Sequence, residues 1–335
     1  MAKNPNNPGR KVFAHPTYKD FKTTCLHPHE TISVVPKIIG PGGVMQAPIH
    51  YVSDNPDILR VDEKGQVTGL KEGYGEILAY ACGKLARIGL DVIDVPRGIK
   101  AFTGHRGFRK LAPENTMPSF QLALDAGVDY VETDIAVTKD RQLVLFHDKS
   151  SVKRMLDSEK SVNELTFDEI RALPFIGGTN HEEYSDLQVP TFEEYLTLME
   201  KSNAAPMIEL KDETLCGENE DLLVTIRDMI DAHHLGKKAR VTSALKENLL
   251  AYEKINQGHE LWYILEEDFD DLDLLVTHHW NYSIKKSKAK KDFCQKVLDA
   301  GLKVDVWIVN DPKEAKKYLS WPITSMTSDV IVYNH

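Results

Sequence analysis

Residues 101–148 read AFTGHRGFRKLAPENTMPSFQLALDAGVDYVETDIAVTKDRQLVLFHD. Short apolar strands in this stretch end in polar residues that a folding core does not need. These are a His-Arg pair at His105 and Arg106, two acids at Glu132 and Asp134, and a His-Asp pair at His147 and Asp148. Positions where polar residues interrupt a strand pattern are where function is expected to override the rules of folding. The stretch is therefore the first candidate for a functional site.

The spacing of this stretch predicts a βαβ unit followed by a hairpin. An apolar strand at residues 101–103 and a strand at residues 129–137 flank a helix that Asn115-Thr116 opens and Gly127 ends, so the two strands are parallel. The link at residues 138–141 is too short for a parallel crossover, which needs about a dozen residues. Residues 142–146 therefore return as a hairpin strand. They bring His147 beside the two acids, which share one face because side chains alternate along a strand.

Composition limits the possible classes of protein. The 335 residues are enough for two domains, and 41% hydrophobic with 27% charged residues is typical of a soluble globular protein. A net charge of -10 argues against a nucleic-acid partner, and no apolar run approaches the roughly 20 residues of a membrane span. The four cysteines lack CxxC spacing, which argues against a zinc site. Cys25 and Cys82 are either a disulfide of an exported protein or, preferentially, two independent buried thiols.

The N-terminal part predicts a leader and a small all-β domain. Residues 1–10 are rich in Asn and Pro and are predicted to be disordered, and the start of the chain lacks the apolar core of a secretory signal, which leaves open that a signal was removed. Short β-like runs separated by turns over residues 11–96 predict an antiparallel sandwich. Its strands are expected at residues 31–39, 49–53, 58–61, 66–70, 75–81 and 85–95. His27 and His29 are expected to be exposed loop histidines rather than metal ligands.

The run SDNPDILRVDEKGQVTGLKEGYGEI at residues 53–77 resembles a bacterial group-2 immunoglobulin-like domain, with Tyr51 where that family often has Trp. The resemblance covers roughly residues 28–95. It implies an extracytoplasmic bacterial protein, whether periplasmic, attached to the cell surface or secreted. Because this part has no cluster of acids and histidines, we interpret it as a spacer or docking module for a cell surface or a glycan.

From residue 97 to residue 335, strands alternate with amphipathic helices, which predicts an α/β domain. Eight parallel strands are expected at residues 101–104, 129–137, 205–210, 239–242, 261–265, 274–277, 303–309 and 323–327. That count and length fit a (β/α)8 TIM-type barrel of about 250 residues. An open doubly wound sheet would collect its ligand at one switch point, whereas polar residues here recur at almost every strand end. Residues 149–190 are expected to be mostly loop, with one helix at residues 166–173.

Three carboxylates, those of Glu132, Asp134 and Glu209, are predicted to meet at the carboxyl ends of neighbouring strands. Like charges in one cleft repel unless a cation neutralises them. Oxygen ligands suit Mg²⁺ or Ca²⁺ better than zinc. The alternative is a structural ion network with Arg106 and Lys211.

Two histidines, His105 and His147, are predicted to converge on the same acidic cleft. Both titrate near neutral pH, so one can accept a proton from a nucleophile while the other donates one to a leaving group. The alternative for each is a hydrogen-bonded core histidine. Arg106 and Lys211 suit a phosphate, although Arg106 is also a candidate partner of Glu114. Together these residue types indicate phosphodiester cleavage.

The 101–148 stretch, followed in order by PTFEEYL, IELK, VDVWIVND and TSD, is similar to the glycerophosphodiester phosphodiesterase family. The resemblance covers about residues 101–331. It implies that His105 and His147 are the general acid and base and that Glu132, Asp134 and Glu209 are metal ligands. It further implies a substrate-binding set of Arg106, Lys211, Trp307, Glu114 and Asn115. For Trp307, packing at the barrel rim is the alternative to lining a pocket.

The implied reaction is metal-dependent hydrolysis of glycerophosphodiesters to glycerol 3-phosphate and an alcohol through a cyclic phosphate. Two departures from the family pattern stand out. Arg141 replaces the usual Gly of the hairpin, and the segment after His147 lacks the common Arg-Thr-Thr-Gly run. Two other functions compete with this reading. One is a phospholipase D-like lyase acting on lysolipids or sphingolipids, and the other is a non-catalytic surface-binding protein.

Overall fold

The computed structural model describes residues 25–92 and 100–330, apart from positions 35, 37, 41, 42 and 185. The described residues fall into two compact units, one before residue 93 and the other from residue 100 onward. The leader predicted at residues 1–10 and the domain boundary predicted at residues 96–97 lie outside the described residues. Both therefore stay predictions.

The N-terminal unit consists of short strands in small sheets. In the described part these strands are Cys25–Leu26 (β1), Thr31–Ser33 (β2), Ile38–Gly40 (β3), Gly43–Met45 (β4), His50–Ser53 (β5), Leu59–Val61 (β6), Gln66–Gly69 (β7), Gly73–Ala81 (β8) and Lys84–Val92 (β9). The strand orders β9-β8-β5 and β2-β7-β6 are antiparallel, β1 joins β9 in parallel, and β3 pairs with β4. The predicted run at residues 31–39 is split between β2 and β3.

One apolar core joins the two larger sheets of this unit. Ile77 and Ile88 contribute from one sheet, and Leu59 and Val67 contribute from the other. Burial alternates along β8 and β9, as expected for strands with one face on a core and one in water. This arrangement agrees with a two-sheet unit, while the immunoglobulin-like assignment stays a prediction.

Two smaller predictions for this unit are wrong in part. His29 is exposed as predicted, but His27 is only 7% exposed, so it is not the surface loop histidine that its Pro-flanked position suggested. Cys82 is free and exposed at the turn between β8 and β9. The alternative, a disulfide with Cys25, is therefore not formed, and the preferred interpretation of two buried thiols is wrong for Cys82, because this tight turn projects into solvent.

Within residues 100–330, eight parallel strands close a barrel. These strands are Ala101–Gly104 (β10), Tyr130–Val137 (β11), Ala205–Leu210 (β13), Arg240–Ser243 (β14), Glu260–Leu265 (β15), Asn281–Lys285 (β16), Val304–Trp307 (β17) and Ser325–Ser328 (β18). Pairing of β10 with both β18 and β11 closes the ring. A short strand, Leu143–Leu145 (β12), returns antiparallel to β11, which confirms the predicted hairpin.

Helices lie between the barrel strands, and several of them begin at a residue whose side chain caps the helix. Thr166 and Glu169, like Thr191 and Glu194, exchange side-chain and backbone hydrogen bonds in capping boxes. Among the described residues, no helix is both long enough and apolar enough to cross a membrane. The helices are Met117–Ala126 (α1), Phe167–Ala172 (α2), Phe192–Glu200 (α3), Asp221–Ala232 (α4), Lys246–Glu253 (α5), Leu272–His278 (α6), Lys291–Asp299 (α7) and Pro312–Leu319 (α8).

The sixth predicted strand, residues 274–277, is wrong. These residues belong to α6, which is capped by Asp271. The Asp271 carboxylate accepts a hydrogen bond from the Leu274 backbone at 2.9 Å. The sixth strand is instead β16, immediately downstream. A short apolar run cannot be assigned to helix or strand from its composition alone, which explains the error.

The segment at residues 149–190 is more ordered than the predicted loop. Besides α2 it contains short 3-10 helices at Val162–Glu164 and His181–Glu183. Val152, Leu156 and Val162 of this segment pack with Phe146, next to β12, in one buried cluster. The segment is therefore a packed layer anchored on the hairpin that carries His147.

Candidate active site

His105 and Asp329 meet because their strands are neighbours. β10 and β18 pair with Gly104 opposite Ser328, so the next residue of each strand emerges at the same barrel end. The His105 Nδ1 atom lies 2.8 Å from an Asp329 oxygen. Burial lowers the pKa of His105 to about 4, although the hydrogen bond to Asp329 acts in the opposite direction. His105 is therefore neutral at pH 7, with Nδ1–H donating to Asp329 and Nε2 available as a proton acceptor.

His147 reaches the same barrel end through the hairpin. Its Nδ1 atom lies 2.9 Å from an oxygen of Asp148, the next residue in the chain. Burial opposes ionisation of Asp148, but its bonds to His147 and Arg154 outweigh burial and hold its pKa below the ordinary range. The structure confirms the prediction that the two histidines lie close together, because both line one cavity.

Glu132, Asp134 and Glu209 form the predicted acid cluster. The parallel register of β11 and β13 places Asp134 opposite Glu209, and Glu132 lies on the same face of β11. One carboxylate oxygen from each acid lies within 4.8 Å of the other two. Buried oxygens of Glu132 and Asp134, Oε1 and Oδ1, accept no hydrogen bond. Buried polar atoms without partners are rare, which suggests that these oxygens are ligand atoms.

The electrostatics of the three acids lead to the same conclusion. Burial, with Asp134 and Glu209 nearby, raises the pKa of Glu132 well above its ordinary value. Burial also raises the pKa of Glu209 to about 7, with a further contribution from Asp134. Burial acts in the same direction on Asp134, but Arg106 and Lys211 outweigh it and keep the pKa of Asp134 low. The cluster is short of positive charge, and a hard divalent cation fits its all-oxygen donor set.

The alternative of an ion network with Arg106 and Lys211 is also present in the structure. Arg106 Nε lies 3.3 Å from Asp134, and Lys211 Nζ lies 3.5 Å from Asp134 and 3.4 Å from Glu209. The backbone N–H of Arg106 donates to Glu132 at 2.7 Å. These contacts hold the acids in place. The Lys211 ion pair falls on Oδ1 of Asp134, so Oε1 of Glu132 is the buried oxygen that none of these contacts reaches.

Glu114 and Asn115, predicted to bind substrate, occupy supporting positions. Glu114 accepts hydrogen bonds from Arg106 at 2.8 Å and from Arg154 at 2.6 Å. Asn115 donates to Asp134 at 2.8 Å. Neither residue lines the cavity that contains the histidines. The sequence motif placed them near the site but could not show that they face the arginines and the acid instead.

One cavity, which we call the central cavity, contains most of the predicted site. His105, His147, Glu132, Glu209 and Lys211 line it. Trp307 also lines this cavity, which favours the pocket role over packing at the rim. Its lining is mixed, because Met207 and Ile264 are apolar whereas the buried carboxylate of Asp305 accepts hydrogen bonds from Ser325 and Thr327. A small group that combines carbon atoms with hydroxyls suits such a lining.

Two arginines that the sequence reasoning missed complete the site. Arg109 Nε donates to Asp329 at 2.7 Å, and Arg154 Nε donates to Asp148 at 2.7 Å. Arg109 is four residues after His105, a spacing that could have raised it as a candidate. Arg154 lies in the packed segment, and no sequence motif marks it. Its guanidinium neutralises Glu114 and Asp148, which together with His147 form a second grouping of potential metal ligands.

Comparison with known proteins agrees with this geometry. The glycerophosphoryl diester phosphodiesterase family matches residues 105–332. The chain belongs to this family. The enzyme class predicted from the motifs is confirmed, and the alternative of a non-catalytic surface protein is not supported.

Relatives of the family differ in how much of their length is matched. The chain is 33% identical over 111 residues to the uncharacterized protein YqiK of Bacillus subtilis, which covers 33% of this chain and 45% of YqiK. It is 24% identical over 233 residues to a glycerophosphodiester phosphodiesterase of Bacillus altitudinis, which covers 67% of this chain and 92% of that enzyme. The matched part thus spans less than half of one relative and most of the other.

A solved structure shares the barrel fold. It is an Oleispira antarctica phosphodiesterase in complex with the product sn-glycerol-3-phosphate, with a TM-score of 0.63 at 22% identity, covering 69% of this chain and 93% of that one. At this level of identity the similarity establishes the fold. The predicted TIM-type barrel is confirmed, while the roles of individual residues stay predictions.

Proposed function

We propose that the chain hydrolyses glycerophosphodiesters to glycerol 3-phosphate and an alcohol, using a divalent cation and two histidines. The observation that carries this proposal is the central cavity, where two histidine–aspartate pairs flank three carboxylates. Family membership and the glycerol phosphate product bound by the Oleispira antarctica relative support the same substrate class.

Glu132, Asp134 and Glu209 would hold the cation, and their donor set suits Mg²⁺ or Ca²⁺. When bound, the cation supplies positive charge that balances the carboxylates and the phosphate oxygens of the substrate. Arg106 and Lys211, already directed at the acids, add positive charge at the same place. The chain would thereby attract a phosphodiester and stabilise the negative charge that grows on it in the transition state.

The two histidines would divide the proton transfers. Neutral His105 accepts the proton of the glycerol 2-hydroxyl, whose oxygen forms a bond to phosphorus. The phosphorus–oxygen bond to the alcohol breaks, and the alcohol oxygen takes a proton from His147. The histidines then exchange roles as water opens the cyclic phosphate, and glycerol 3-phosphate is formed. The negative charge of a bound diester would raise the pKa of His105 towards the working pH.

A release assay tests this function. Wild type and Asp134→Asn are incubated with glycerophosphocholine, with EDTA and then with added Mg²⁺ or Ca²⁺, and glycerol 3-phosphate is measured. We expect release by wild type that EDTA abolishes and one of the cations restores, and loss of release in the variant. Asp299→Asn, at an exposed position of α7, is the matched control. Release insensitive to EDTA would reject the metal assignment, and turnover of lysolipids alone would favour the lyase alternative.

We also propose that the small sheets of residues 25–92 belong to an immunoglobulin-like module of an extracytoplasmic bacterial protein, and that this module contacts a cell surface or a glycan. The sequence resemblance and the shared core of the two small sheets support this proposal. Fractionation of cells that express the natural gene tests the location, and the protein is expected outside the cytoplasm.

A further inference from the structure

The central cavity contains one charged side chain that the proposed reaction does not use. Asp305 lines this cavity, lies on β17 two residues before Trp307, and is buried. Because side chains alternate along a strand, Asp305 and Trp307 share the inner face of the barrel, and Asp305 lies further from the strand ends that carry the histidines. A buried carboxylate depends on its polar partners, so its contacts show what it can do.

The described partners of Asp305 are neutral hydroxyls on neighbouring strands. Ser325 donates to Oδ1 of Asp305 at 2.7 Å, and Thr327 donates to Oδ2 at 2.9 Å. Ser283 adds a long contact of 3.5 Å to Oδ2. A carboxylate offers about four acceptor positions. Asp305 therefore has room for a further donor, and a group in the central cavity can supply it.

Arg240 fixes the direction of these hydrogen bonds and closes the barrel behind Asp305. It donates to the Ser325 oxygen at 3.1 Å, so the single hydrogen of that hydroxyl is directed to Asp305. The Arg240 guanidinium lies 3.5 Å from the centre of the Tyr130 ring and 4.4 Å from that of Trp262. None of these three stacked residues is among the described residues that line the central cavity. The cavity is therefore closed on this side.

We propose that Asp305 accepts a hydrogen bond from the terminal hydroxyl of the glycerol group, and that the chain thereby selects diesters with a free glycerol end over diesters acylated at that oxygen. This inference rests on the proposed function. With phosphorus beside the carboxylates and the 2-hydroxyl at His105, the terminal carbon of glycerol is the part that enters the deeper cavity. A hydroxyl there donates to Asp305. An acylated oxygen has no hydrogen to donate, and its chain would meet the stacked layer under Asp305.

The size of the selection follows from the partners that Asp305 keeps. A site that binds a substrate hydroxyl discriminates against an analogue without it, because a buried polar group then loses a partner. Asp305 retains Ser325 and Thr327 in either case, so the loss is that of one hydrogen bond to a charged group. We expect a preference of about 10- to 100-fold in kcat/KM for the diester with the terminal hydroxyl.

Substrate analogues test this selection in the wild-type protein. Choline release is measured with glycerophosphocholine, with the phosphocholine ester of 1,2-propanediol and with lysophosphatidylcholine. The propanediol ester keeps the 2-hydroxyl and lacks only the terminal one, so its kcat/KM should be at least about tenfold lower. Equal values for the first two esters would overturn the role of Asp305, and efficient release from lysophosphatidylcholine would overturn the exclusion of acylated diesters. Release from none of the three would overturn the proposed function instead.

Variants at position 305 assign the preference to this side chain. Asp305→Ala should reduce the preference for glycerophosphocholine over the propanediol ester to about twofold or less, chiefly through a lower kcat/KM on glycerophosphocholine. Asp305→Asn keeps an acceptor oxygen and nearly the same shape, so it should retain an intermediate preference. Asp231→Ala removes a carboxylate of α4 that contacts His259 at 3.1 Å, and it should keep the wild-type preference.

The ratio of the two substrates separates recognition from folding. A general loss of structure lowers both rates together and leaves their ratio unchanged, whereas loss of the Asp305 contact affects only the diester with the terminal hydroxyl. If Asp305→Ala does not fold, the wild-type comparison and Asp305→Asn still decide the question. A wild-type preference in both Asp305 variants would overturn the proposal.

Discussion

His105 and His147 each place Nδ1 against an aspartate oxygen, at 2.8 Å and 2.9 Å, yet the two aspartates are supported differently. Asp329 follows a barrel strand, is 3% exposed in its side chain, and also accepts a hydrogen bond from Asn310 at 2.7 Å. Asp148 is the neighbour of His147 in sequence and is 20% exposed in its side chain. The barrel itself builds the first pair, whereas the second depends on the hairpin and the segment packed on it.

One buried acid connects the two pairs. Arg109 contacts Asp329 and lies 3.5 Å from Glu114, and Arg154 contacts Asp148 and donates to Glu114 at 2.6 Å. Burial opposes ionisation of Glu114, but Arg154 and Arg106 outweigh burial and lower its pKa. The molecule therefore builds a similar histidine–aspartate–arginine arrangement twice, once from barrel strands and once from an added layer.

The largest expected effect separates the two histidines by their roles. His105→Ala and His147→Ala should each lower kcat on glycerophosphocholine by about 10²- to 10⁴-fold. The p-nitrophenyl ester of glycerol phosphate has a leaving oxygen that needs no proton, so His147→Ala should recover most of its rate on that ester and His105→Ala should not. The exposed His50→Ala serves as the control. Recovery by His105→Ala instead would exchange the two roles.

The second effect is the response of the barrel to acid. Because the folded pKa of His105 is about 4 and the unfolded value is about 6.5, the fold favours neutral His105. Its contribution is fully present above about pH 6.5 and is lost as pH falls towards 4, a loss of about 3 kcal/mol. His105→Gln should therefore show a shallower fall in unfolding free energy over this range.

Tryptophan fluorescence can follow this experiment, because the four tryptophans, at positions 262, 280, 307 and 321, all lie in the barrel. Urea unfolding of wild type and variant is compared from pH 7 to pH 4. Parallel curves for the two proteins would contradict the prediction for His105.

The third effect concerns the aspartates. Asp329→Asn removes a carboxylate that is only 3% exposed and that both His105 and Arg109 contact, while Asp148→Asn acts on a pair whose side chains are 26% and 20% exposed. We expect kcat to fall by about 100-fold in Asp329→Asn and by about tenfold in Asp148→Asn, with KM changing less. Steady-state kinetics with glycerophosphocholine measure both values. A larger loss in Asp148→Asn would mean that the added layer, and not the barrel, supplies the more important support.

The contrast between the barrel strands and the added layer also explains which features could be predicted from the sequence. The strand periodicity, the short link at residues 138–141 and the strand-end acids led to the barrel, the hairpin and the acid cluster. These depend on local spacing, which the sequence displays. The role of Arg154 could not be predicted, because its contact with Glu114 joins positions 40 residues apart and Arg154 lies in a segment with no regular sequence pattern. The sixth strand was misplaced because the Leu-rich run of α6 looks like a buried strand until Asp271 is seen as its cap.

The fourth effect concerns the two arginines. Arg109→Met and Arg154→Met should each lower kcat by about tenfold, since each loses hydrogen bonds between charged groups. The double variant should lose less than the product of the two effects, because both arginines act through Glu114. With the p-nitrophenyl ester, the Arg154→Met effect should shrink and the Arg109→Met effect should not.

The rate with the p-nitrophenyl ester distinguishes a role of Arg154 in positioning His147 from a general loss of structure. Arg171→Met removes a comparable ion pair, to Glu194, from the same segment and should leave both rates unchanged. If the loss of kcat in the double variant equals the product of the two single losses, Glu114 does not connect the pairs.

The smallest effect concerns the hairpin that carries His147. Arg141 has a φ of 63° at the position where the family pattern has Gly, and its side chain pairs with Asp221 on the surface at 2.6 Å. Arg141→Gly relieves the left-handed backbone but loses this pair and adds freedom to the unfolded chain. The change in unfolding free energy should therefore stay within about 1 kcal/mol. Arg141→Val should destabilise by about 1–2 kcal/mol, because a β-branched residue fits this φ poorly.

Both variants should keep the wild-type kcat, because the antiparallel pairing of β11 with β12, and not the turn residue, sets the position of His147. Loss of kcat in Arg141→Gly with unchanged stability would show instead that the turn itself positions the more exposed histidine.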